Sequence, residues 1–408
     1  MSQPLRADEP KPDLLPYGRQ VVEDDDIAAV CEVLRSDFLT TGPLVARFEE
    51  ALTRTVHAEH AVVCANGTAA LYLAARALDI GPGSTVIVPS VTFLATANAP
   101  HLAGAEIVFA DVDPDTGLMR PCDLEKALAR AGHADALFNV HLGGQCGDVE
   151  EIAAVARRHG LKIIDDACHA IGTRYTAAGT EHTVGDNAYS DLTVFSFHPV
   201  KTVTMGEGGA MTAKDAALAE ALRLHRNHGM TREPRDFVTA EDAFTGEGNA
   251  NPWYYELVEP GFNWRATDLQ CALGLTQLNK LARFATRRAV LAAAYDSLLA
   301  PFAPKLKPVT RVSRCLPVWH LYAVLIDFEA CGVTRADVMA ALAEEGIGSQ
   351  VHYYPVHRQP YYATRYGRTV LPGADRYYAR ALSLPFFASM AVSDAARVTE
   401  ALARILKL

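Results

Sequence analysis

The chain has 408 residues, half of them hydrophobic, and a mean hydropathy near zero, which suits an enzyme with one large core or two domains. The net charge of -10 and the pI of about 5.8 argue against the concentrated Lys/Arg surface that duplex DNA requires, so nucleic acid is not an expected partner. Eight cysteines without any Cys-x-x-Cys pair predict buried thiols in a reducing cytoplasm. An N-terminus without an apolar run, and the lack of a membrane-length apolar segment, favour neither secretion nor membrane insertion.

Residues 1–16 are rich in proline and charge and are predicted to be a flexible tail. After this tail, short apolar runs alternate with segments of helical period. This alternation predicts an α/β fold with a mostly parallel sheet in a large domain, 17–270, followed by a smaller C-terminal α/β domain, 271–408. The predicted strands are 85–88, 106–109, 136–140, 162–164, 192–195, 209–212 and 323–326. The predicted helices are 25–35, 68–78, 121–130, 149–159, 216–226, a long pattern at 268–298, 335–345, and 394–405 capped by Ser393. The stretch 232–260 is predicted to be a long loop.

A small polar turn at residues 65–68 joins the end of a strand to the start of a helix. The first amides of a helix lack backbone partners and carry partial positive charge, so a phosphate would bind there. Gly67 would let that phosphate approach, and Thr68 follows it. Taken singly, the turn is better explained as an ordinary Asn/Thr helix cap, because such caps are common.

A buried strand delivers carboxylates at its C-terminal end in the segment 163–169. Ligand sites of open parallel sheets gather at such ends. An ionised Asp beside a pyridine nitrogen would keep that nitrogen protonated, as pyridoxal-phosphate (PLP) chemistry requires. A metal site built from Asp165, Asp166 and His169 is the rival interpretation, although adjacent strand residues point to opposite faces. A capping Asp with a core His is the purely structural one.

A lysine follows an aromatic-rich strand and precedes a glycine-rich turn in the segment 195–209. Burial of Lys201 would depress its pKa and favour covalent attachment to a carbonyl compound, and Ser196 could bond a phosphate. In isolation, Lys201 is better explained as a solvated loop lysine, because buried lysines are rare.

The three segments in this order, together with 89–93, 226–229, 261–268 and 350–355, resemble the DegT/DnrJ/EryC1/StrS family of sugar aminotransferases over nearly the whole chain from Pro16. The resemblance implies the type I PLP-dependent transferase (aspartate aminotransferase) fold. Some family members carry His at the position of Lys201 and resemble deoxygenating enzymes; this chain does not. Asp165 stands where Glu is frequent and Cys168 where Ala is frequent, and neither change removes a proposed catalytic group.

The resemblance also implies a role for each matched residue, and it implies a homodimer with shared active sites. Lys201 matches the residue that holds PLP covalently and moves protons, Asp166 the carboxylate on the pyridine nitrogen, His169 the group near the 3-oxygen, Phe93 the aromatic that stacks on the ring, Gly67, Thr68 and Ser196 the phosphate site, and Asn263 the phosphate contact from the second subunit. Without the resemblance, Phe93 would be read as core packing and Asn263 as a turn residue.

The implied reaction moves an amino group from L-glutamate to a nucleotide-linked keto sugar without a metal. Residues 16–20, 36–43 and 355–362 resemble the subgroup that acts on UDP-4-keto-6-deoxy-N-acetyl-altrosamine in pseudaminic acid synthesis. A perosamine-type or bacillosamine-type substrate and a non-catalytic PLP-binding regulator are the alternatives, although the chain has no spare DNA-binding module for the latter. The candidate substrate contacts are Tyr17, Arg19, Thr41, Arg226, Arg265 and His352. For each arginine, a surface ion pair is the competing explanation.

Overall fold

The computed structural model describes residues 14–408, and its largest feature is a seven-stranded sheet in the order β1-β9-β8-β5-β4-β2-β3. The strands are β1 His60–Cys64, β2 Thr85–Pro89, β3 Glu106–Ala110, β4 Ala136–Val140, β5 Lys162–Asp166, β6 Arg174–Ala177, β7 Thr180–Thr183, β8 Leu192–Ser196, β9 Gly209–Ala213, β10 Met230–Thr231, β11 Glu256–Leu257, β12 Leu306–Pro308, β13 Cys315–Leu316, β14 Tyr322–Ile326 and β15 Ala381–Leu384. The helices are α1 Asp24–Leu34, α2 Pro43–Val56, α3 Gly67–Ala77, α4 Leu94–Leu102, α5 Pro121–Ala131, α6 Val149–Arg158, α7 Ala216–Arg226, α8 Ala240–Ala243, α9 Asp268–Asn279, α10 Leu281–Leu299, α11 Phe328–Cys331, α12 Arg335–Glu344, α13 Pro360–Tyr366, α14 Pro372–Arg380 and α15 Val392–Leu406.

The seven-stranded sheet is parallel except at β9, which runs antiparallel to both of its neighbours. Its central strands are mostly apolar and buried because helices cover both faces; every residue of β4 is buried. Gly209 at the start of β9 lies opposite Cys64 on one side and Ser196 on the other. The carboxyl ends of β1 and β8 therefore meet at one edge, together with the end of β5.

A second, smaller sheet forms in the C-terminal part of the chain from β12, β14 and β15, all antiparallel. Its core contains residues of α10, α12 and α15 and also Leu15, which is buried and bonds through its backbone to Gly346 and Gly348. Residues 1–13 of the predicted tail lie outside the described part of the chain.

The fold prediction is confirmed in its class, and the structure corrects two details of it. The long helical pattern at 268–298 is two helices, α9 and α10, separated at Lys280, whose ammonium turns back to Asp25 and Asp26 at 2.6 and 2.7 Å. The last helix begins at Val392 with Ala391 as its cap, so Ser393 lies inside the first turn and does not cap it. Within residues 14–408, no helix combines the length and apolarity needed to cross a membrane.

Candidate active site

A cavity of about 880 Å³ opens at the carboxyl edge of the seven-stranded sheet and reaches toward the C-terminal part of the chain. It brings together most of the residues that the sequence singled out. From that set, the cavity is lined by Tyr17, Gly67, Thr68, Phe93, Asp166, His169, Ser196, Lys201 and His352.

The phosphate turn at the start of α3 has the geometry of an anion site. The side chain of Asn66 caps the helix by accepting the amide of Ala69 at 2.9 Å, which leaves the amides of Gly67 and Thr68 as the uncapped donors. A Cβ at Gly67 would lie 2.9 Å from the Cβ of Ser196, so only glycine allows β8 to pack this closely. The Ser196 hydroxyl and the helix N-terminus therefore lie side by side in the cavity wall.

Asp166 is the last residue of β5, and its buried carboxylate is held by two donors. Oδ2 accepts from the hydroxyl of Thr96 at 2.6 Å, and Oδ1 accepts from the amide of Cys168 at 3.2 Å. Asp165 contacts a different set of groups, accepting from the Asn139 amide at 3.1 Å and lying 3.4 Å from the His141 imidazole. Because the two carboxylates contact separate sets of groups, they do not form a chelating pair.

Lys201 sits in the turn after β8, where burial lowers the pKa of its ammonium while the nearby charges of Cys168 and Asp166 partly oppose that shift. A lowered pKa increases the fraction of neutral amine, which is the nucleophilic form. Its backbone amide donates to the carbonyl of His198 at 2.8 Å, which fixes the turn.

His169 begins a hydrogen-bond chain that leads into the cavity. The amide of Gly143 can only donate, so the 3.3 Å contact makes Nδ1 of His169 an acceptor and leaves the ring proton on Nε2. Nε2 then donates to the hydroxyl of Tyr353 at 3.2 Å, and this hydroxyl keeps its own proton to donate to a ligand. Burial lowers the pKa of His169 well below its usual value, so the ring stays neutral.

Three residues that contact His169 or Asp166 were not predicted from the sequence, and two of them, His320 and Tyr353, line the cavity. His320 packs its ring 4.4 Å from that of His169, and Tyr353 and Thr96 bond His169 and Asp166. Thr96 and Asp166 are 70 residues apart, so only the folded chain relates them. Tyr353 belongs to the segment 350–355, but only its neighbour His352 was predicted from that segment to contact the substrate.

His352 is buried beside Tyr17, with ring centroids 5.7 Å apart. Its Nδ1 shares a 2.8 Å hydrogen bond with the hydroxyl of Ser383. Burial, with a smaller contribution from the charge of Lys201, lowers the pKa of His352 to about 3. The imidazole is therefore neutral at physiological pH and can act as a hydrogen-bonding group.

Two predicted arginines are engaged in contacts of the fold. Arg226 pairs with Glu49 at 2.7 Å and also bonds the carbonyl of Val63, so it ties α7 to α2 and β1. Arg265 donates to the side chain of Asn227 at 2.5 Å. Neither lines the cavity.

Arg19, Thr41 and Asn263 are exposed and also lie outside the cavity lining. Thr41 adopts a left-handed backbone conformation with φ of 56° and bonds the carbonyl of Thr40. Asn263 pairs through its backbone with Asn227. Its side chain is therefore available to a molecule other than its own chain.

The described residues fit PLP, the cofactor that the sequence resemblance implies. A buried carboxylate at Asp166, an amine of lowered pKa at Lys201 and a helix N-terminus at Gly67 face one cavity. The tight contact of Gly67 with Ser196 provides backbone donors and a hydroxyl without a side chain in the way, as a phosphate monoester needs.

Comparisons with known proteins find aminotransferases that are similar to this chain over nearly its whole length. Residues 20–403 match the model of the DegT/DnrJ/EryC1/StrS aminotransferase family. The chain is 38% identical over 396 residues to the spore coat polysaccharide biosynthesis protein SpsC of Bacillus subtilis, covering 96% of this chain and 97% of that protein. It superposes on the Helicobacter pylori aminotransferase PseC, which takes part in pseudaminic acid biosynthesis, with a TM-score of 0.86, 28% identity and coverage of 97% and 99%. The PLP form of Spr1654 from Streptococcus pneumoniae gives a TM-score of 0.83, 25% identity and coverage of 97% and 99%.

Proposed function

The chain belongs to the DegT/DnrJ/EryC1/StrS aminotransferase family and is a PLP-dependent sugar aminotransferase, and we propose that it aminates a UDP-linked 4-keto-6-deoxy-N-acetylhexosamine with L-glutamate as donor. The product would be an amino sugar for a cell-surface glycan or a nonulosonic acid such as pseudaminic acid. Two similarities support the choice of substrate: PseC serves pseudaminic acid biosynthesis, and SpsC serves a spore coat polysaccharide. We place the reaction in the cytoplasm.

The observation that carries the PLP-dependent chemistry in this proposal is the meeting of Lys201, Asp166 and the turn at Gly67 in one cavity. When bound, PLP supplies the electron sink that stabilises negative charge at the donor's α-carbon. Lys201 takes the proton from that carbon, which its lowered pKa favours, and returns a proton in the reverse half of the reaction. Asp166 holds a proton on the pyridine nitrogen, and Thr96 keeps the carboxylate oriented for this task.

The remaining residues proposed to contact the cofactor would each bind a different part of it. The amides of Gly67 and Thr68 and the hydroxyl of Ser196, which line the cavity, would hold the phosphate, and Phe93 would cover one face of the ring. His169 directs its Nε2 proton to Tyr353 and so sets the donor that faces the 3-oxygen region.

Substrate contacts are proposed first for Tyr17 and His352, since both line the cavity and both can bond a sugar hydroxyl or a carboxylate. Arg19 and Thr41 are exposed and free to contact the nucleotide or the donor. Arg226 and Arg265 are weaker candidates because Glu49 and Asn227 already engage them.

The substrate proposal is tested with purified holoenzyme, L-glutamate and a panel of UDP-, GDP- and dTDP-linked 4-keto and 3-keto sugars, with 2-oxoglutarate and amino sugar as the measured products. We expect the UDP-4-keto-6-deoxy-N-acetylhexosamine to be aminated with the highest kcat/KM. Amination restricted to a GDP sugar of the perosamine type or to a dTDP sugar would refute the UDP assignment and leave the aminotransferase intact.

We propose a homodimer in which Asn263 of each subunit completes the phosphate site of the other. The support is that Asn263 is exposed and lies outside the cavity of its own chain. The test mixes two inactive variants, Lys201→Ala and Asn263→Asp, after reversible dissociation. Shared sites predict that half the dimers are mixed and that each has one intact site, which restores about a quarter of wild-type activity. Independent sites would restore none.

A further inference from the structure

Cys146 and Cys315 form a pair of thiols outside the cavity that the proposed chemistry does not use. Their sulfur atoms lie 3.3 Å apart, and both residues are buried. Cys146 follows β4 in the connection 142–147, and Cys315 begins β13, 169 residues later in the chain. Both are free thiols in the described chain, and their sulfurs are in van der Waals contact.

The backbones that carry this pair are held firmly in register. The side chain of Gln145 accepts the amide of Val312 at 2.9 Å and donates to the carbonyl of Thr310 at 3.1 Å. Thr173 joins the same two segments, donating to the carbonyl of Gly144 at 2.8 Å and accepting the amide of Val318 at 2.9 Å. The sulfurs therefore cannot drift apart while the fold is intact, and a bond between them needs little movement of the backbone.

The two thiols are not equivalent. Cys315 receives two hydrogen bonds from Cys146, one from its thiol at 3.3 Å and one from its backbone amide at 3.4 Å. These bonds, with the positive charge that His141 can carry, lower the pKa of the Cys315 thiol against the opposing effect of burial. The Cys146 thiol, which donates, has its pKa raised well above the usual value. Cys315 is thus the more readily deprotonated of the two and the nucleophile, and Cys146 is the thiol that resolves.

His141 supports the negative charge on Cys315 from a fixed position. Its Nε2 lies 3.4 Å from a carboxylate oxygen of the buried Asp165, which favours the charged imidazolium and raises the pKa of His141 despite burial. Its Nδ1 is buried and has no hydrogen-bond partner among residues 14–408. A thiol whose pKa is lowered by a nearby imidazole and by a second thiol has the environment of a peroxide-reactive cysteine.

We propose that Cys146 and Cys315 are a modification site for small hydroperoxides, which convert the pair into a reversible disulfide. The Cys315 sulfur attacks one oxygen of hydrogen peroxide, the O–O bond breaks, and the hydroxide released takes up a proton to leave as water. The sulfenic acid formed on Cys315 is then attacked by the Cys146 sulfur; the S–S bond forms, the S–O bond breaks, and hydroxide leaves with the Cys146 proton as a second water.

The burial of the two sulfur atoms limits the size of the oxidant that can reach them. Cys315 exposes only 7% of its surface and Cys146 none, so a bulky disulfide such as oxidised glutathione has no path to either sulfur. Hydrogen peroxide is close to water in size and is the oxidant of choice for the test.

The experiment treats the holoenzyme with hydrogen peroxide, blocks remaining thiols under denaturing conditions, and maps peptides without reduction. We expect a peptide pair joined through Cys146 and Cys315, a fall from the eight thiols of the chain to six, and return to eight with dithiothreitol. The Cys146→Ser variant should instead trap a sulfenic acid on Cys315, which dimedone labels when it is present as the oxidised protein is denatured. The Cys271→Ser variant, which removes another buried thiol, is the matched control and should oxidise like wild type.

Other outcomes would overturn the proposal. They are loss of thiols elsewhere with Cys146 and Cys315 still reduced, or oxidation of Cys146 at the wild-type rate in a Cys315→Ser variant. If serine variants do not fold, differential alkylation of the wild-type protein over a peroxide time course decides the same question, because the two thiols must disappear together and before the others.

Discussion

The floor and the C-terminal wall of the active-site cavity are built in different ways. The floor consists of Gly67, Asp166 and Ser196. Asp166 and Ser196 end strands of the seven-stranded sheet, and Gly67 begins the helix that follows β1. The wall consists of His352 and Tyr353, which follow α12 near the end of the chain and reach the site only through tertiary contacts. The floor is set by local backbone geometry, whereas the wall depends on how the C-terminal part packs against the sheet, so damage to each should differ in kind and size.

The largest effect is expected at Lys201 on the floor side. The Lys201→Ala variant should fold and bind PLP or its pyridoxamine form without a covalent link, while turnover falls by more than about 10³-fold because the tether and the proton-transfer group are both lost. Loss of the visible absorption band of the lysine-bound cofactor, together with steady-state kinetics, measures this. Lys214→Ala removes an exposed lysine nearby in sequence and serves as the control. Transamination retained by Lys201→Ala would refute the assignment.

The next largest effect is expected at Asp166. The Asp166→Asn variant keeps the shape and can still accept the hydroxyl proton of Thr96, but it loses one of its two acceptor oxygens and the charge that we propose keeps the pyridine nitrogen protonated. We expect kcat to fall by about 10²-fold, measured with saturating donor and acceptor.

The control is the neighbouring residue on the same strand. Asp165→Asn removes a charge that faces His141, so it should lower stability and leave the absorption spectrum of the bound cofactor unchanged. If both variants changed the spectrum equally, the division of roles between the two carboxylates would be wrong.

This division between floor and wall also explains what the sequence could and could not reveal. Gly67, Asp166 and Lys201 each lie at or just after the end of a strand, and a parallel sheet brings such strand ends together. The α/β fold and the floor were therefore predictable from the sequence. Thr96 and Tyr353 carry no local signal, because each is recognisable only from the side chain that it meets across the fold.

The same limit applies to the fold and to the predicted arginines. The boundary at Lys280 depends on ion pairs with α1, more than 250 residues earlier, which helical periodicity cannot register. Arg226 stands in a motif and is nevertheless occupied by Glu49. The place of a residue in a motif predicts the region of the fold in which it lies. Packing decides which group a charged side chain contacts there.

On the wall, His352 should make stability depend on pH. Its pKa is 6.5 when unfolded and about 3 when folded, so the unfolded chain binds more protons between these values. The contribution is complete above pH 6.5 and is lost as the pH falls, by at most about 1.4 kcal/mol per pH unit. The free energy of unfolding from urea titrations at pH 7, 6, 5 and 4 should therefore fall less steeply for His352→Gln than for wild type. Equal slopes would show that His352 is not held neutral by the wall.

The smallest effect is expected for Tyr353→Phe, which removes one hydroxyl and keeps the aromatic ring. The Nε2 proton of His169 would lose its acceptor at 3.2 Å, while the Gly143 amide would still fix the tautomer. Because both groups are neutral, we expect only a loss of about threefold to tenfold in kcat/KM, the scale of one neutral hydrogen bond. The pH dependence of the cofactor's absorption band should shift at the same time, since the variant lacks the hydroxyl that we propose as the donor to the 3-oxygen region. The matched variant is Tyr354→Phe, whose hydroxyl bonds the carbonyl of Arg358 in the exposed rim and not His169. A shift in the band for Tyr353→Phe alone would establish that the wall reaches the cofactor, whereas an unshifted band in both variants would confine the chemistry to the floor.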